Sequence, residues 1–403
     1  MIIIAYAVRH YVFSFKVLAS GNDCSPERTL AFYKPTVSII VPAYKEERVI
    51  GRLLERLVEL EYPKDLLQVI IVNDGHGKDG GRSAEIIEVC NVKYPWITAI
   101  HRLNGGAGKA RALNEALDYV TGEISVLFDA DYLPNRDIVQ RFIPYFLDPF
   151  CGAVQGYIYV LPSRGVIPGI VRLERIGGYR VDQLARENLG LMPQLGGTVM
   201  ACRTSLLKAL GGFDPDILAE DTDLTFRIFE SEGFKVHYCE HAVAGEEAPT
   251  TLRALWNQRH RWAYGHFQCV FKHWLPLIRD KNLNLLEKLD GLFCLGIYFL
   301  PILIGVNWFL TVMLFVLGIP ILPSSFFVLL MSLLYLAFAG FGAPFAAFSG
   351  CLAEDDLSPL RSVFGLVLFY FLNVFVCSKA FLCLIYCSVR GKQLAWRHTP
   401  HGN

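Results

Sequence analysis

Apolar residues are grouped along this chain in two different ways. Before Asp290 they fall into short runs separated by amphipathic stretches; after it they form long unbroken blocks. Val37–Val41 and Gln68–Val72 are apolar runs of strand length, the first closed by Pro42 and the second by the turn Asn73-Asp74-Gly75. Between them, Val49, Leu53, Leu57 and Leu60 recur at helical spacing within 46–60. A helix near 81–90, a strand at 97–101, a helix at 109–120 and a strand at 124–128 follow. This alternation predicts an α/β layer with a mostly parallel sheet. In such sheets ligands bind beyond the carboxyl ends of the strands, where Asp74 and Asp129 fall. After Asp131 the pattern is less regular: a strand with a glycine approach at 196–203, a helix from Glu220 to Glu230, and a helix over 249–266. The aromatic and basic stretch 267–277 suits a helix lying along a membrane surface.

The distal blocks change the class of protein. No Asp, Glu, Lys or Arg occurs between Asp290 and Glu354, and a second apolar block covers about 363–387. Each is long enough for spans of about 20 residues, about three in all. The N-terminal 1–20 is apolar but interrupted by Arg9, His10 and Lys16 and has no small-residue cleavage site. It reads as a tilted or interfacial helix rather than a signal peptide. The predicted organisation is a membrane-associated helix and linker over 1–34, a globular domain over 35–265, an interfacial region over 266–289, and transmembrane helices with a short basic tail over 290–403. With the domain in the cytosol, three spans put the tail outside. Arg390, Lys392 and Arg397 argue for a cytosolic tail.

The chain has 38 basic and 38 acidic side chains, a net charge of +0, and so no electrostatic footprint for nucleic acid. Its 11 cysteines are scattered, with no Cys-x-x-Cys. They read as small buried hydrophobes in a reducing compartment. Histidines 237, 241, 260 and 266 lack metal-ligand spacing; His237 and His241 are candidates for a third metal ligand but read better as structural.

Candidate chemistry is carried by four groups. Asp129-Ala-Asp131 places two carboxylates two residues apart, on one side of an extended segment. Such a pair invites a hard divalent cation, Mg²⁺ or Mn²⁺, that would join it to diphosphate oxygens. Gly105-Gly-Ala-Gly108-Lys109 lacks the G-x-x-x-x-G-K-[ST] spacing, which excludes a phosphate-loop ATPase. Its glycines still allow close backbone approach, with Lys109 at a helix start. Glu220-Asp221 opens a helix, where acidic residues serve as caps or, in reach of a hydroxyl, as a general base. Gln258, Arg261 and Trp262 sit at i, i+3 and i+4, one helix face bearing an amide, a cation and a large ring. That face suits a diphosphate and a stacked sugar.

In this order, the motifs resemble those of the family 2 inverting glycosyltransferases, in particular the membrane-integrated branch of cellulose, chitin and hyaluronan synthases. The match runs through Val37-Ser-Ile-Ile-Val-Pro-Ala-Tyr44 with Glu46, Val72-Asn-Asp-Gly75, Lys109-Ala-Arg-Ala-Leu-Asn114, Asp129-Ala-Asp131, Gly196-Gly-Thr198, Glu220-Asp221 and Gln258-Arg-His-Arg-Trp262. Trp396-x-x-Thr399 is similar to a tail of that branch. The resemblance implies an α/β GT-A-type (Rossmann-like) domain in the cytosol, a C-terminal helical transmembrane domain, and a multi-pass protein of the cell membrane. It further implies a nucleotide-sugar donor, commonly a UDP-sugar, held by Pro42, Tyr44, Glu46, Asp74, Lys109, Asp129, Asp131, Gln258, Arg261 and Trp262. Asp129 and Asp131 would hold the metal and Asp221 would be the base. Gly197, Thr198, Glu220 and Trp262 would lie at the acceptor. The chain departs from the family at Lys45, where Asn is frequent, at His76-Gly-Lys78, and at Ala219.

Three functions fit these residues. One is extension of a polysaccharide. Another is transfer of one sugar to a membrane lipid or polyprenyl phosphate. The third is a non-catalytic sugar-nucleotide-binding component of secretion. So few spans make a poor tunnel for one chain, which leaves room for a homo-oligomer or a partner membrane subunit.

Overall fold

The computed structural model describes residues 2–20, 33–75, 82–102, 106, 108–231, 233–319 and 326–391. The linker, His76-Gly-Lys78, Gly105, Ala107, the tail cations Lys392 and Arg397, and Trp396-x-x-Thr399 lie outside the described residues.

Among the described residues, eight strands make one sheet: β1 (Val37–Ala43), β2 (Leu67–Asn73), β3 (Ile97–His101), β4 (Ile124–Leu127), β5 (Leu133–Pro134), β6 (Cys151–Val160), β7 (Met200–Arg203) and β8 (Lys235–Glu246). Their order is β3-β2-β1-β4-β7-β6-β8-β5. The first four strands are parallel, as the strand-helix alternation predicts. The second half is mixed: β7 runs antiparallel to both β4 and β6, β8 is parallel to β6, and β5 is antiparallel to β8. The reversal at β7 returns the chain to the carboxyl ends of β1 and β4, so the Gly196–Val199 loop meets the Asp129 loop there.

Pro42 does not end β1, which continues to Ala43. On the β4 side, pairing stops at Ile40↔Leu127, while on the β2 side it runs to Ala43↔Asn73. The proline therefore lies past the last β4 partner, where its missing N–H costs no ladder bond. The sheet is covered on both faces. Ile39, Val41, Val69 and Ile71 pack with Leu53, Leu54 and Leu57 of the Ile50–Val58 helix. Ile40, Ile70 and Val72 pack on the other face with Leu113 and Leu117 of the Lys109–Leu117 helix.

The predicted helix over 249–266 and the interfacial stretch after it are one 28-residue helix, Leu252–Arg279. Among the described residues, four helices are long and apolar enough to cross a membrane: Ile2–Ala19, Phe299–Val316, Phe326–Ala353 and the helical segment Ser358–Arg390. The charge-free block thus supplies two of them, and the N-terminal helix qualifies in spite of Arg9. Arg9 is buried and pairs with Asp182 Oδ2 at 3.1 Å and with Asp290 Oδ1 at 3.5 Å. An ionisable side chain in an apolar helix needs such protein partners. Phe299–Val316 buries none of its residues within the chain, and apart from Asn307 and Thr311 its surface is apolar and suited to hydrocarbon rather than water.

Candidate functional site

At the carboxyl ends of β1, β2 and β4 lies a cavity of about 780 Å³. Pro42, Tyr44, Glu46 and Asp74 line one end, and Lys109, Asp129, Asp131, Gly197, Glu220 and Asp221 the middle. Gln258, Arg261 and Trp262 contribute a further wall, and Ile297 and Tyr298, at the start of the Phe299–Val316 helix, lie at the other end. Of the site residues named from sequence, Thr198 alone is not in the lining. It is buried, and its Oγ1 accepts a hydrogen bond from Asp129 N at 2.9 Å, so it fixes the Asp129 loop from behind.

The two aspartates do not sit on an extended segment. Tyr132 N donates to Asp129 O at 3.2 Å, and the turn so formed brings both carboxylates to the cavity. Lys109 Nζ lies 2.7 Å from Asp129 Oδ1 and 3.6 Å from Glu220 Oε1, and donates to Gly197 O at 2.7 Å. Burial opposes its charge, but Asp129 and Glu220 outweigh burial and raise its pKa above the usual lysine value. Among the described residues, no three His, Cys, Asp or Glu side chains form a closed metal cage. An open two-carboxylate site fits Mg²⁺ or Mn²⁺, whose shell is completed by water and substrate phosphates. His237 is held by Glu187 at 2.9 Å and His241 is exposed; neither lines the cavity.

Asp221 lies in the first turn of the Glu220–Glu230 helix and its Oδ1 accepts from Thr222 N at 2.7 Å. Burial, then the neighbouring Glu220 carboxylate, push its pKa up to about 7. Gly197 has φ 76°, and a Cβ there would lie 3.1 Å from Asp221 Oδ2, so glycine permits both the turn and the contact. Two residues on, Val199 has φ 52°, which is costly for a β-branched side chain. Gln155, fully buried on β6, holds this loop. Its Nε2 donates to Thr198 O at 3.1 Å and Val199 O at 3.2 Å, while its Oε1 accepts from Gly196 N at 2.7 Å. Strain of this kind persists where the surroundings over-determine it. Nothing in the local sequence pattern marks Gln155.

The Leu252–Arg279 helix packs closely on Leu218 and Ala219, just ahead of Asp221. At Gly265 a Cβ would sit 2.4 Å from Ala219 N, so only glycine allows this approach. Beside it, Leu218 N donates to Gln268 Oε1 at 3.0 Å, and Thr222 Oγ1 is 3.3 Å from His266 Nε2. Burial lowers the pKa of Arg261, against the pull of Glu220, Asp129, Asp131 and Asp221. Two guanidiniums lie near the Trp262 ring, Arg259 at 4.5 Å and Arg175 at 5.2 Å from its centroid. Each has a carboxylate partner. Arg175 Nε and Nη2 reach Glu246 at 2.5 and 2.9 Å, and Arg259 Nη1 reaches Glu174 at 2.8 Å.

At the other end, Asp74 is buried and bonded to Arg102, which also donates to Glu115 at 2.6 Å. Lys45 takes φ 59°, a left-handed conformation more at ease for Asn. The residues that sequence reasoning did not single out are Gln155, Arg175, Glu174, Glu246 and the segment Ile176–Gln183. That segment is a wide π-type turn continuing the Val166–Arg175 helix, and Gly178, Tyr179 and Asp182 from it line the cavity.

A mixed sheet with carboxylates at its strand ends, facing an amide-cation-indole helix, is the GT-A arrangement. Residues 35–265 match the family model described as "Glycosyltransferase like family 2", and the chain belongs to that family. Among curated relatives, the probable glycosyltransferase YdaM of Bacillus subtilis is 32% identical over 259 residues, which is 63% of this chain and 61% of that protein. A beta-monoglucosyldiacylglycerol synthase of Synechocystis sp. is 31% identical over 280 residues, covering 66% and 55%. A poly-beta-1,6-N-acetyl-D-glucosamine synthase of Staphylococcus epidermidis is 26% identical over 250 residues, covering 62% and 59%. The chain thus spans 55 to 61% of the length of these relatives. The structure of a mannosyltransferase, PcManGT from Pyrobaculum calidifontis, in complex with GDP-Man and Mn²⁺, aligns with a TM-score of 0.60 at 23% identity. It covers 96% of this chain and 98% of that one, and supports the likeness of fold.

Proposed function

We propose that this protein is a membrane-bound inverting glycosyltransferase that takes a sugar from a nucleotide-diphosphate donor, commonly a UDP-sugar in this family. The observation that carries the reading is the position of Asp221. Its carboxylate, pushed up to about 7, shares one cavity with Asp129, Asp131, Lys109 and Arg261. A base near neutral pH is matched to removing a hydroxyl proton.

In this reading residues 35–265 form the transferase domain on the cytosolic side, with 1–34 as a membrane-associated helix and linker, 266–289 as an interfacial region and 290–403 as multi-pass membrane helices. Pro42, Tyr44, Glu46 and Asp74 hold the nucleoside end. Lys109, Arg261 and Gln258 hold the diphosphate. Asp129 and Asp131 would hold Mg²⁺ or Mn²⁺, which supplies charge neutralisation for the departing diphosphate. Asp221 takes the proton of the acceptor hydroxyl, and the oxygen attacks the anomeric carbon from the face opposite the diphosphate. The C–O bond to phosphate breaks, the configuration inverts, and the nucleoside diphosphate leaves. Trp262, Gly197 and Glu220 surround the acceptor, and Thr198 supports them from behind.

A lipid acceptor accords with the Ile297 and Tyr298 end of the cavity, which borders the apolar helices. Extension of a polysaccharide, as in the cellulose, chitin and hyaluronan synthase branch, is a second reading. It is favoured by Trp262, an aromatic side chain in the cavity wall beside Arg261 that suits a terminal sugar. The test is mass spectrometry of products formed by the protein in lipid, with Mn²⁺ and a panel of nucleotide sugars, beside Asp221→Asn. One sugar on an extracted lipid supports the first reading, and a ladder of sugar units supports the second. No product from any donor, in a sample that still binds one, would leave a non-catalytic sugar-nucleotide-binding component of secretion.

A further inference from the structure

The π-type turn Ile176–Gln183 forms part of the cavity wall. Such wide turns are rare and recur at functional sites. Two apolar helices clamp this one. Arg9 Nη2, on the Ile2–Ala19 helix, donates to Asp182 Oδ2 at 3.1 Å. Arg180 Nε lies 3.2 Å from Glu354 Oε1, just past the Phe326–Ala353 helix, and Tyr157 Oη donates to the same carboxylate. At Gly350 of that helix a Cβ would lie 2.6 Å from Ile176 Cγ2, so the helix is pressed against the start of the turn.

What the clamped turn carries to the cavity is Tyr179. Its side chain is buried, with the rings of Tyr157 and Tyr238 at 6.0 and 6.3 Å between centroids. Its hydroxyl stands against the Gly196–Val199 loop: a Cβ on Gly196 would lie 2.7 Å from Tyr179 Oη. The next residue, Gly197, is the one that faces Asp221 Oδ2, so the phenol and the base meet neighbouring glycines of one loop. The Arg175 guanidinium lies 5.9 Å from the Tyr179 centroid and 5.2 Å from that of Trp262, which places the two rings along one wall. There is room beside Tyr179, since a Cβ on Gly178 would meet nothing within 4 Å. Burial raises the phenol pKa above the usual tyrosine value, so Tyr179 keeps its proton and serves as a hydrogen-bond donor rather than as a base. Packing alone needs only the ring, and phenylalanine would supply it.

We propose that Tyr179 is a specificity-determining residue for the acceptor, its O–H donating to an acceptor oxygen other than the attacking one, and that Glu354 and Arg9 are positioning residues that hold the turn carrying it. The contact makes no covalent bond and moves no proton. It fixes which oxygen of the acceptor is turned toward the base and the anomeric carbon. The clamp explains why a wide turn is kept here: without the ion pairs to Arg180 and Asp182, nothing charged ties the turn to the membrane helices at this depth.

The inference rests on the transferase reading, and the experiment separates the two. The full chain, in phosphatidylcholine vesicles with Mn²⁺ and the donor panel, is offered diacylglycerol, a glycosylated diacylglycerol, polyprenyl phosphate and an N-acetylglucosamine oligomer. Initial rates are measured against the concentration of whichever acceptor the parent glycosylates, for the parent and for Tyr179→Phe. Loss of one hydrogen bond should raise the acceptor KM about tenfold in Tyr179→Phe, while kcat, donor Kd and the thermal midpoint move little. Glu354→Gln should raise the same KM about threefold. It should add nothing further in the Tyr179→Phe background, because it acts through the tyrosine. An acceptor KM equal to the parent's in Tyr179→Phe overturns the inference and leaves the transferase reading standing. So does a loss of donor affinity as large as the rise in acceptor KM, which would assign the phenol to the donor. A Glu354→Gln effect undiminished in Tyr179→Phe overturns the positioning role. No transfer by the parent to any acceptor removes the transferase reading, and the inference with it.

Discussion

His273 Nε2 lies 2.8 Å from Asp223 Oδ1, joining the Glu220–Glu230 helix to the helix that carries Gln258, Arg261 and Trp262. The other ring nitrogen is 2.7 Å from Glu230 Oε1. Carboxylates only accept, so both nitrogens carry protons and His273 is a cation. Burial opposes that charge, but the hydrogen bonds to Asp223 and Glu230 prevail and raise its pKa. Asp223, fully buried, also meets Arg227 at 2.7 Å and Lys272 at 2.6 Å. Burial would raise its pKa, but these partners hold it down to about 2.

His273→Ala should destabilise the protein by about 3 kcal/mol, because it leaves buried Asp223 and its neighbours short of a partner. The pH dependence has a defined sign. The His273 contribution is complete below the unfolded histidine value of about 6.5 and fades as pH rises through the raised folded value. The Asp223 contribution is present above about 3.9 and is lost as pH falls through the folded value. Thermal midpoints in detergent from pH 3 to 9 test this. A His273→Ala midpoint equal to the parent's at pH 6 would refute the clasp.

Transfer by the intact protein should rise with pH through about 7 and then level off, since Asp221 accepts a proton only once ionised. Asp221→Asn should lose that limb and about 10²- to 10⁴-fold in rate while still binding donor. The same raised pKa makes the ionised form costly to the fold, so Asp221→Asn should melt above the parent at pH 8. Initial rates and melting curves on the pair check both signs.

Two glycines hold the reaction centre together by what they lack. Gly265→Ala places a methyl 2.4 Å from Ala219 N, a backbone atom, and should cost about 1–3 kcal/mol and displace Asp221. Gly197→Ala adds the strain of a left-handed alanine, about 1–2 kcal/mol, and crowds Asp221 Oδ2. Both should lower transfer more than donor binding. Equal losses in the two would indicate general unfolding.

Donor affinity should depend on the divalent ion through Asp129 and Asp131. Chelation should weaken binding of the nucleotide sugar, and Asp131→Ala should make binding insensitive to Mn²⁺. Isothermal titration with and without metal decides the point, and an unchanged metal dependence in Asp131→Ala would remove this ligand assignment.

The parallel half of the sheet was legible in the sequence because helices intervene between its strands and leave clear breaks. The strand ends then located Asp74 and Asp129. β6 was not legible: nine of its ten positions are buried, so it shows no alternation of apolar and polar residues. Arg9 read as an interruption of an apolar segment because its partner Asp182 is 173 residues away in the chain. The continuity of the Leu252–Arg279 helix was hidden by its change of surroundings, from the cavity at Arg261 to mixed polar and aromatic contacts past His266. Gln155 was invisible for a different reason. Its role is to pin a strained loop, and strain leaves no periodicity.

That unbroken helix also rests on the bilayer helices. Ala263, Tyr264 and Phe267 pack with Cys377, Ala380 and Leu384 of the last apolar helix, one turn from Trp262. At about 1.5 Å per residue its 28 residues form a strut of about 42 Å. Pro276 lies beyond that seat, so Arg261 and the residues resting on Val363–Arg390 share one uninterrupted stretch of under two helical turns. Bilayer thickness should therefore bear on the position of Arg261, and transfer rates in vesicles of short- and long-chain lipids would register it.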